Sequence, residues 1–426
     1  MRGRAKGRLL LIDMPKDRPS AAALLVDGRL EDLLLDPRNG DRTPVPGEIW
    51  MAKIDRVVPK IGGAFVKLGE GMAFLREAKG VRAGAQRRVQ VVGHAEPGKA
   101  VPVTTRVLYK GRTVIHTPDA PGINVSRKIK DPDERARLQG IFEDQIAQLA
   151  AARGEDAGAG ADWQGTPAVP PQGDARALAA LETGAHLGGG FILRSAAEGA
   201  PAEELIAELH RVIEDRNHAE APDRRLDRPL DRKMSMDAAL REWTSPVPEA
   251  IVVHPDAFAV LAPLQDDGSV PARPCYRGLT SMALHARLRR HDGDDLFEDY
   301  GVSEEIERLN DPSAPLPAGG WIQIEPTAAL VAVDVNTGGG FQGGDALTAN
   351  LEAARELPRQ LRLRGLGGQI AIDFAPLPKR DRPKIEQALK SAFRGDPIET
   401  TLGGWTPLGL FELSRKRERR PLLELL

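Results

Sequence analysis

Two apolar runs that each end in an aspartate constrain this chain more than any other feature. The first reads Thr327-Ala-Ala-Leu-Val-Ala-Val-Asp334-Val-Asn336-Thr-Gly-Gly-Gly340, the second Gly367-Gly-Gln-Ile-Ala-Ile-Asp373-Phe374. Short, β-branched and bounded by glycine, each is predicted to form a buried strand. A carboxylate taken out of water is costly unless it is paired or holds a cation. Two of them on neighbouring strands would converge on one ion, and hard oxygen ligands suit magnesium or manganese. Asn336 lies two residues after Asp334 and so shares its strand face. Its amide is placed to meet a phosphate or an attacking water. On spacing alone, strand termination and loop capping explain the two aspartates equally well.

The chain has 426 residues, which exceeds a single core and predicts two to four domains. Apolar content of 41% and charged content of 28% fit a soluble globular protein. The net charge is −2, so nucleic acid would have to be held by local basic patches rather than by the whole molecule. A single cysteine, Cys275, excludes a disulfide framework. No apolar run approaches the ~18 residues of a membrane span. The basic stretch Met1–Arg8 is followed by an apolar run too short for a secretory signal. A cytoplasmic protein is expected.

Segment by segment, residues 9–36 alternate strand-like runs with turns. Residues 46–106 contain closely spaced strands with glycine turns, beginning with Glu48–Val58, which suggests a small closed barrel of the OB type. Helices are predicted over Asp131–Arg153 and Ala202–Asn217, around a Gly/Ala/Pro-rich stretch, 154–173, read as a mobile loop or insertion. A further strand, Gly190–Arg194, ends in a basic residue followed by Ser195. Residues 218–235, rich in arginine and aspartate, read as a linker. A helix over Leu347–Leu363 contains Pro358, which should kink it. Its last turn carries Arg359, Arg362 and Arg364, which serve either the helix dipole or RNA phosphates. Ser414-Arg415-Lys-Arg417 with Arg419 and Arg420 is denser and favours RNA contact, Arg415 and Arg417 above all.

Between Asp334 and Arg417 the blocks occur in a telling order: Asp334-Val-Asn336-Thr-Gly, Gly343-Gly-Asp345, Asn350-Leu-Glu-Ala-Ala354, Arg359-Gln-Leu-Arg-Leu-Arg364, Leu366-Gly-Gly through Asp373-Phe374, and Leu408-Gly-Leu-Phe-Glu-Leu-Ser-Arg-Lys-Arg417. In these blocks the chain resembles the ribonuclease E/G family, most fully over residues 321–374 and more weakly back to the N-terminus. The resemblance implies an α/β multidomain protein: a mixed-sheet nuclease domain, an inserted OB-type β-barrel and an α+β 5′-end-sensing subdomain. The corresponding boundaries are an N-terminal scaffold segment 1–45 that pairs with an RNase H-like scaffold 218–295, a barrel 46–106, a sensor-like subdomain 107–217 and a catalytic unit 296–426.

The family's functional residues carry over by position. Asp334 and Asp373 match its metal ligands and Asn336 its third catalytic residue. Phe65 and Phe74 match aromatics that hold a base, with core packing as the rival reading, and Lys99 matches a lysine that supports the RNA backbone. Arg194 and Ser195 match the guanidinium and hydroxyl of a 5′-monophosphate pocket whose backbone lining falls on Gly111 and Ile115. The expected activity is magnesium-dependent endonucleolytic cleavage of single-stranded RNA, with manganese as a possible substitute. The rival class is a non-catalytic RNA-binding protein on a degenerate nuclease scaffold. Asp345 reads more as a helix cap than as a neighbour of the metal ligands. Relatives often carry a cysteine-ligated zinc link and a small dimer domain after the last block. One cysteine cannot build such a site, so no zinc and a monomer or weak dimer are expected. No zinc-protease, serine-hydrolase or dinucleotide-binding motif occurs.

Overall fold

The computed structural model describes residues 6–38, 41–95, 98–152, 189–220, 229–230, 235–261, 287–338 and 346–426. The expectations for the 154–173 stretch, Cys275 and Asp345 lie outside the described residues. The described residues form three mixed sheets and one closed barrel, with helices between them.

The first sheet joins strands from the N-terminal region to strands from residues 250–290. Its strand order is Leu288–Arg290, Ala250–Val253, Arg8–Asp13, Ala21–Val26, Arg29–Leu35. The first three run parallel and the last three are antiparallel. Its central strands are apolar at almost every position because both faces are covered. Leu10, Ile12, Ala22 and Leu24 pack on the helix Ser235–Glu242 and on Trp243. Leu9, Leu11, Ala23 and Leu25 face the opposite way, toward Leu296, Phe297, Val302 and Leu363.

The strands Ile49–Val58, Gly63–Leu68, Gly71–Leu75, Val101–Thr104 and Gln86–Val91 close in that order into a barrel. Alternation along them sends Ala64, Val66, Ala73 and Leu75 inward and leaves Phe65 and Phe74 half-exposed outside. A four-stranded sheet follows, in the order Gly122–Val125, Gly190–Leu193, Val114–Thr117, Tyr109–Lys110. It shares a core with the helices Pro132–Ala152 and Ala202–Glu220.

The last sheet has six strands, ordered Ser313–Pro315, Trp321–Pro326, Val331–Asn336, Gly368–Asp373, Phe411–Arg415, Thr400–Trp405. Only Val331–Asn336 and Gly368–Asp373 are parallel, and the helix Ala346–Leu363 lies on the connection between them. That helix continues through Pro358, which is buried, and ends against the first sheet. Ile322, Ile324, Val331, Val333, Ile370, Ile372, Phe411 and Leu413 pack on this helix and on Arg382–Arg394. Among the described residues no helix covers the other face of the sheet, which carries the alternate residues, Asp334 and Asp373 exposed among them.

Buried ion pairs fasten the six-stranded sheet and its helices to the first sheet. Arg415 reaches Asp396 at 2.9 Å with both side chains wholly buried, and Arg362 shares the same carboxylate. Arg362 also approaches Asp32 at 3.8 Å, which Arg419 grips through two bonds and Trp243 Nε1 reaches at 3.1 Å. Removing one partner from a buried pair leaves an uncompensated charge, at a cost of about 3–5 kcal/mol. Asp396→Asn should lower unfolding stability by about that much, read from urea melts. A change under about 0.5 kcal/mol, typical of a surface substitution, would show that the network does not hold the layers together.

Candidate active site

The paired strands bring the two acidic strand ends together. Asp334 and Asp373 are direct register partners on adjacent parallel strands, and both are exposed on the sheet face that no helix covers. Hydrophobic alternation explains this placement. Val333, Val335 and Ile372 point into the helix layer, so the residues between them point out. Asn336 shares that outer face, and its Nδ2 donates to Asp334 Oδ2 at 2.8 Å. Trp321 and Gln323 on the neighbouring strand stand in register with Asn336 and Asp334.

Neither aspartate forms an ion pair with a cationic side chain among the described residues, and neither is buried. Two carboxylates side by side repel unless a cation lies between them, and an all-oxygen donor pair open to water suits a hard divalent ion that keeps much of its hydration. Among the described residues no group of three or more His, Cys, Asp or Glu side chains is placed to hold a metal. Among the described residues, Asp334 and Asp373 are the two carboxylates that meet on this face.

The basic blocks divide sharply. The expectation that Arg415 contacts RNA is corrected: its side chain is buried on Asp396, donates to Thr400 Oγ1 at 3.0 Å and lies over the Phe393 ring. Arg359, Arg362 and Arg364 are likewise internal. Arg359 donates to the Leu30 carbonyl at 2.6 Å and Arg364 to that of Leu309 at 2.9 Å. Arg419 and Arg420 bind Asp32 and Asp41. Arg417 differs, because it forms no ion pair among the described residues. Its guanidinium lies against Gly368 and its carbonyl accepts from His94 N at 2.8 Å, so it stands where the barrel meets the catalytic sheet. Five residues of strand separate Gly368 from Asp373, roughly 16 Å.

On the barrel, Phe65 and Phe74 are cross-strand partners whose rings meet edge to face at 5.3 Å. Both point outward, which removes core packing as their role. Arg56 pairs with Phe65 and sets its guanidinium 5.2 Å from the ring centre. Lys53 and Lys67, a register pair on the same two strands, are exposed. Lys99 is exposed on the loop before Val101–Thr104. Arg56 was missed in the sequence because a bulge between Ile54 and Arg56 shifts its register.

In the four-stranded sheet, Arg194 and Gly111 meet: Arg194 Nη1 donates to the Gly111 carbonyl at 2.7 Å. Ser195 follows and is exposed, while Ile115 is half-buried on the strand between Lys110 and Ile192. Two acidic residues here carried no sequence signal. Glu208 accepts from Thr113 N at 2.8 Å and from Arg112 N, and its carboxylate lies where a side chain at Gly111 would stand. Glu242 accepts from Arg194 Nη2 at 2.7 Å and Arg241 Nε at 3.0 Å. Burial opposes charge on Glu242, yet Arg194 and Arg241 together hold its carboxyl below the usual range.

Such a chain, with an open mixed sheet bearing an in-register carboxylate pair beside a basic, aromatic-faced barrel, has the build of a nucleic-acid-processing protein. Residues 174–418 match the model of the ribonuclease E/G family. The chain belongs to that family. It is 27% identical to the ribonuclease G of Haemophilus influenzae over 95% of its own length and 78% of that protein. It is 26% identical to the ribonuclease G of Escherichia coli strain K12, over 90% of its length and 75% of the relative. With the ribonuclease E of a Nostoc species it shares 30% identity over 89% of its length and 52% of the relative.

Gly320 fixes the site from behind. It adopts φ +105°, and a Cβ there would come within 2.3 Å of the Asn336 carbonyl oxygen. Gly319, at φ +87°, has open space around it. Strained backbone alone costs about 1–3 kcal/mol. Gly319→Ala should lose about that much stability, and Gly320→Ala measurably more because strand Val331–Asn336 must shift. Equal melting temperatures for the two variants would contradict this.

Proposed function

We propose that this chain is a divalent-cation-dependent endoribonuclease that hydrolyses single-stranded RNA in RNA processing or decay, with a preference for 5′-monophosphorylated ends. The observation that carries the reading is the in-register pair Asp334 and Asp373, exposed side by side with Asn336 on the open face. The names of the relatives, ribonuclease G and ribonuclease E, point the same way.

Asp334 and Asp373 are the ligands for magnesium, or for manganese in its place. Such an ion supplies Lewis-acid charge for the phosphate and lowers the pKa of bound water. Asn336 orients the Asp334 carboxylate through the 2.8 Å bond from its Nδ2, which keeps that ligand in one rotamer. The open face admits an extended strand without rearrangement of the helices packed behind it.

The barrel, read as OB-type, supplies the grip. Stacking on an aromatic face is worth about 1–3 kcal/mol per base and tolerates any sequence. Phe65 and Phe74 offer that platform, and Arg56, Lys53 and Lys99 add charge along the backbone path. Arg417, at the seam between barrel and sheet, continues the path toward Asp373. Paired bases cannot stack on Phe65 and Phe74, so single strands are selected. Arg194 and Ser195 form the 5′-end pocket, in which a guanidinium and a hydroxyl donate to a terminal phosphate.

The test is cleavage of an unstructured A/U-rich oligonucleotide. Wild type should cut it with magnesium or manganese and stop in excess chelator. Asp334→Asn and Asp373→Asn should each abolish cutting while leaving the melting temperature and RNA affinity near wild type. Cleavage that survives chelator, or survives in both variants, would remove the proposed chemistry. Tight binding without cleavage by wild type would leave an RNA-binding protein on a nuclease scaffold.

A further inference from the structure

The 5′-end pocket is filled by the chain's own carboxylates. Arg194 commits both ends of its guanidinium inside the protein: Nη1 donates to the Gly111 carbonyl and Nη2 to Glu242 Oε2, each at 2.7 Å. The second oxygen of Glu242 accepts from Arg241 Nε at 3.0 Å. One carboxylate thus bridges two guanidiniums, and the Lys110 ammonium lies within electrostatic reach of Glu418, Arg241, Glu242 and Arg194. The adjoining turn is closed in the same manner by Glu208, which takes the amides of Arg112 and Thr113 and the Thr113 hydroxyl.

The two carboxylates are not equivalent. Glu208 is only 5% exposed and holds backbone donors, so it belongs to the frame. The Glu242 side chain is 32% exposed, ends the helix Ser235–Glu242 and is held by side chains alone. Its exchange for another anion disturbs no backbone hydrogen bond. Ser195, next to Arg194, is exposed, and its hydroxyl makes no hydrogen bond among the described residues. Three cations, Arg194, Arg241 and Lys110, outnumber the Glu242 and Glu418 carboxylates beside them and leave net positive charge. A dianionic terminal phosphate matches that charge better than Glu242 does, and a 5′-hydroxyl offers no charge at all.

We propose that Glu242 sets 5′-end selectivity. It occupies Arg194 until a terminal phosphate displaces it, and a 5′-hydroxyl end leaves the Arg194–Glu242 pair closed. This rests on the reading of Arg194 and Ser195 as the end pocket. Glu242 acts as an internal competitor, so its removal strengthens phosphate binding. A residue that merely positioned Arg194 would have the opposite effect.

The test compares the whole wild-type chain with Glu242→Gln, Arg194→Ala and the double variant. Calorimetry with 5′-AMP and with adenosine measures the pocket. Initial rates on 5′-monophosphorylated and 5′-hydroxyl copies of one unstructured RNA measure selectivity. Glu242→Gln should bind 5′-AMP roughly tenfold more tightly, the equivalent of one charge-assisted hydrogen bond freed from competition. The rate ratio should widen by a similar factor. Adenosine binding and the 5′-hydroxyl rate should stay put, and the gain should vanish in the Arg194→Ala background. Glu242→Ala serves if the glutamine variant folds poorly, with the 5′-hydroxyl rate reporting a folded enzyme. Unchanged or weaker 5′-AMP affinity in folded Glu242 variants overturns the proposal. Cleavage without 5′-AMP binding or end preference in any variant removes the pocket, and the proposal with it, while the nuclease reading stands. Tighter 5′-AMP binding by Glu242→Gln without cleavage by any variant keeps the proposal and removes the nuclease reading.

Discussion

The sheet that carries Asp334 and Asp373 is tied to the first sheet by buried charge. Asp32 and Asp396 sit on different layers, one in the first sheet and one after the helix Arg382–Arg394, and Arg362 touches both. Arg415 and Arg419 complete the chain of pairs. Replacing such pairs by apolar side chains is often neutral or stabilising, so the pairs are weak contributors to net stability. Their effect is geometric. A charge-assisted bond satisfies its partners in few arrangements, whereas an apolar contact slides. The helix Ala346–Leu363, whose Arg359 and Arg362 enter this network, lies on the connection between the two strands that carry Asp334 and Asp373.

That arrangement assigns opposite fates to chemically similar residues. Arg415 and Arg417 are two positions apart, one locked on Asp396 and the other without an ion pair among the described residues, at the seam with the barrel. Phe65 and Phe74 lie outside a barrel whose interior is filled by Ala64, Val66, Ala73 and Leu75. The carboxylates divide the same way. Asp32 and Asp396 neutralise arginines inside the protein, whereas Asp334 and Asp373 are exposed and form no ion pair among the described residues. Chemistry is confined to what the internal pairing leaves unspent.

Much of this was legible in the sequence because it is local. The apolar, β-branched runs foretold both strands, Val331–Asn336 and Gly368–Asp373, and the two-residue step put Asn336 on the face of Asp334; the expected burial of the two aspartates was not met, because they stand on the exposed face of the sheet. Closely spaced strands with glycine turns foretold the barrel. Helical spacing foretold the helices over Asp131–Arg153 and Ala202–Asn217, observed as Pro132–Ala152 and Ala202–Glu220. What the sequence hid is long-range. Arg415 reads as one cation in a basic run, and nothing local marks Asp396 as its buried partner. Glu242 is 48 residues from Arg194 and belongs to no motif. Pro358 was expected to kink its helix; the element runs on through it to Leu363, with Leu357, Pro358 and Arg359 buried.

The central claim is that Asp334 and Asp373 hold one divalent cation on the open face. Manganese diffused into crystals of the protein tests it most directly, through the anomalous difference map. The account predicts a peak bridging the two carboxylates at roughly the oxygen–metal distances of a hard divalent ion, lost in Asp373→Asn crystals. Manganese bound elsewhere, with both carboxylates left bare at saturating concentration, would contradict it.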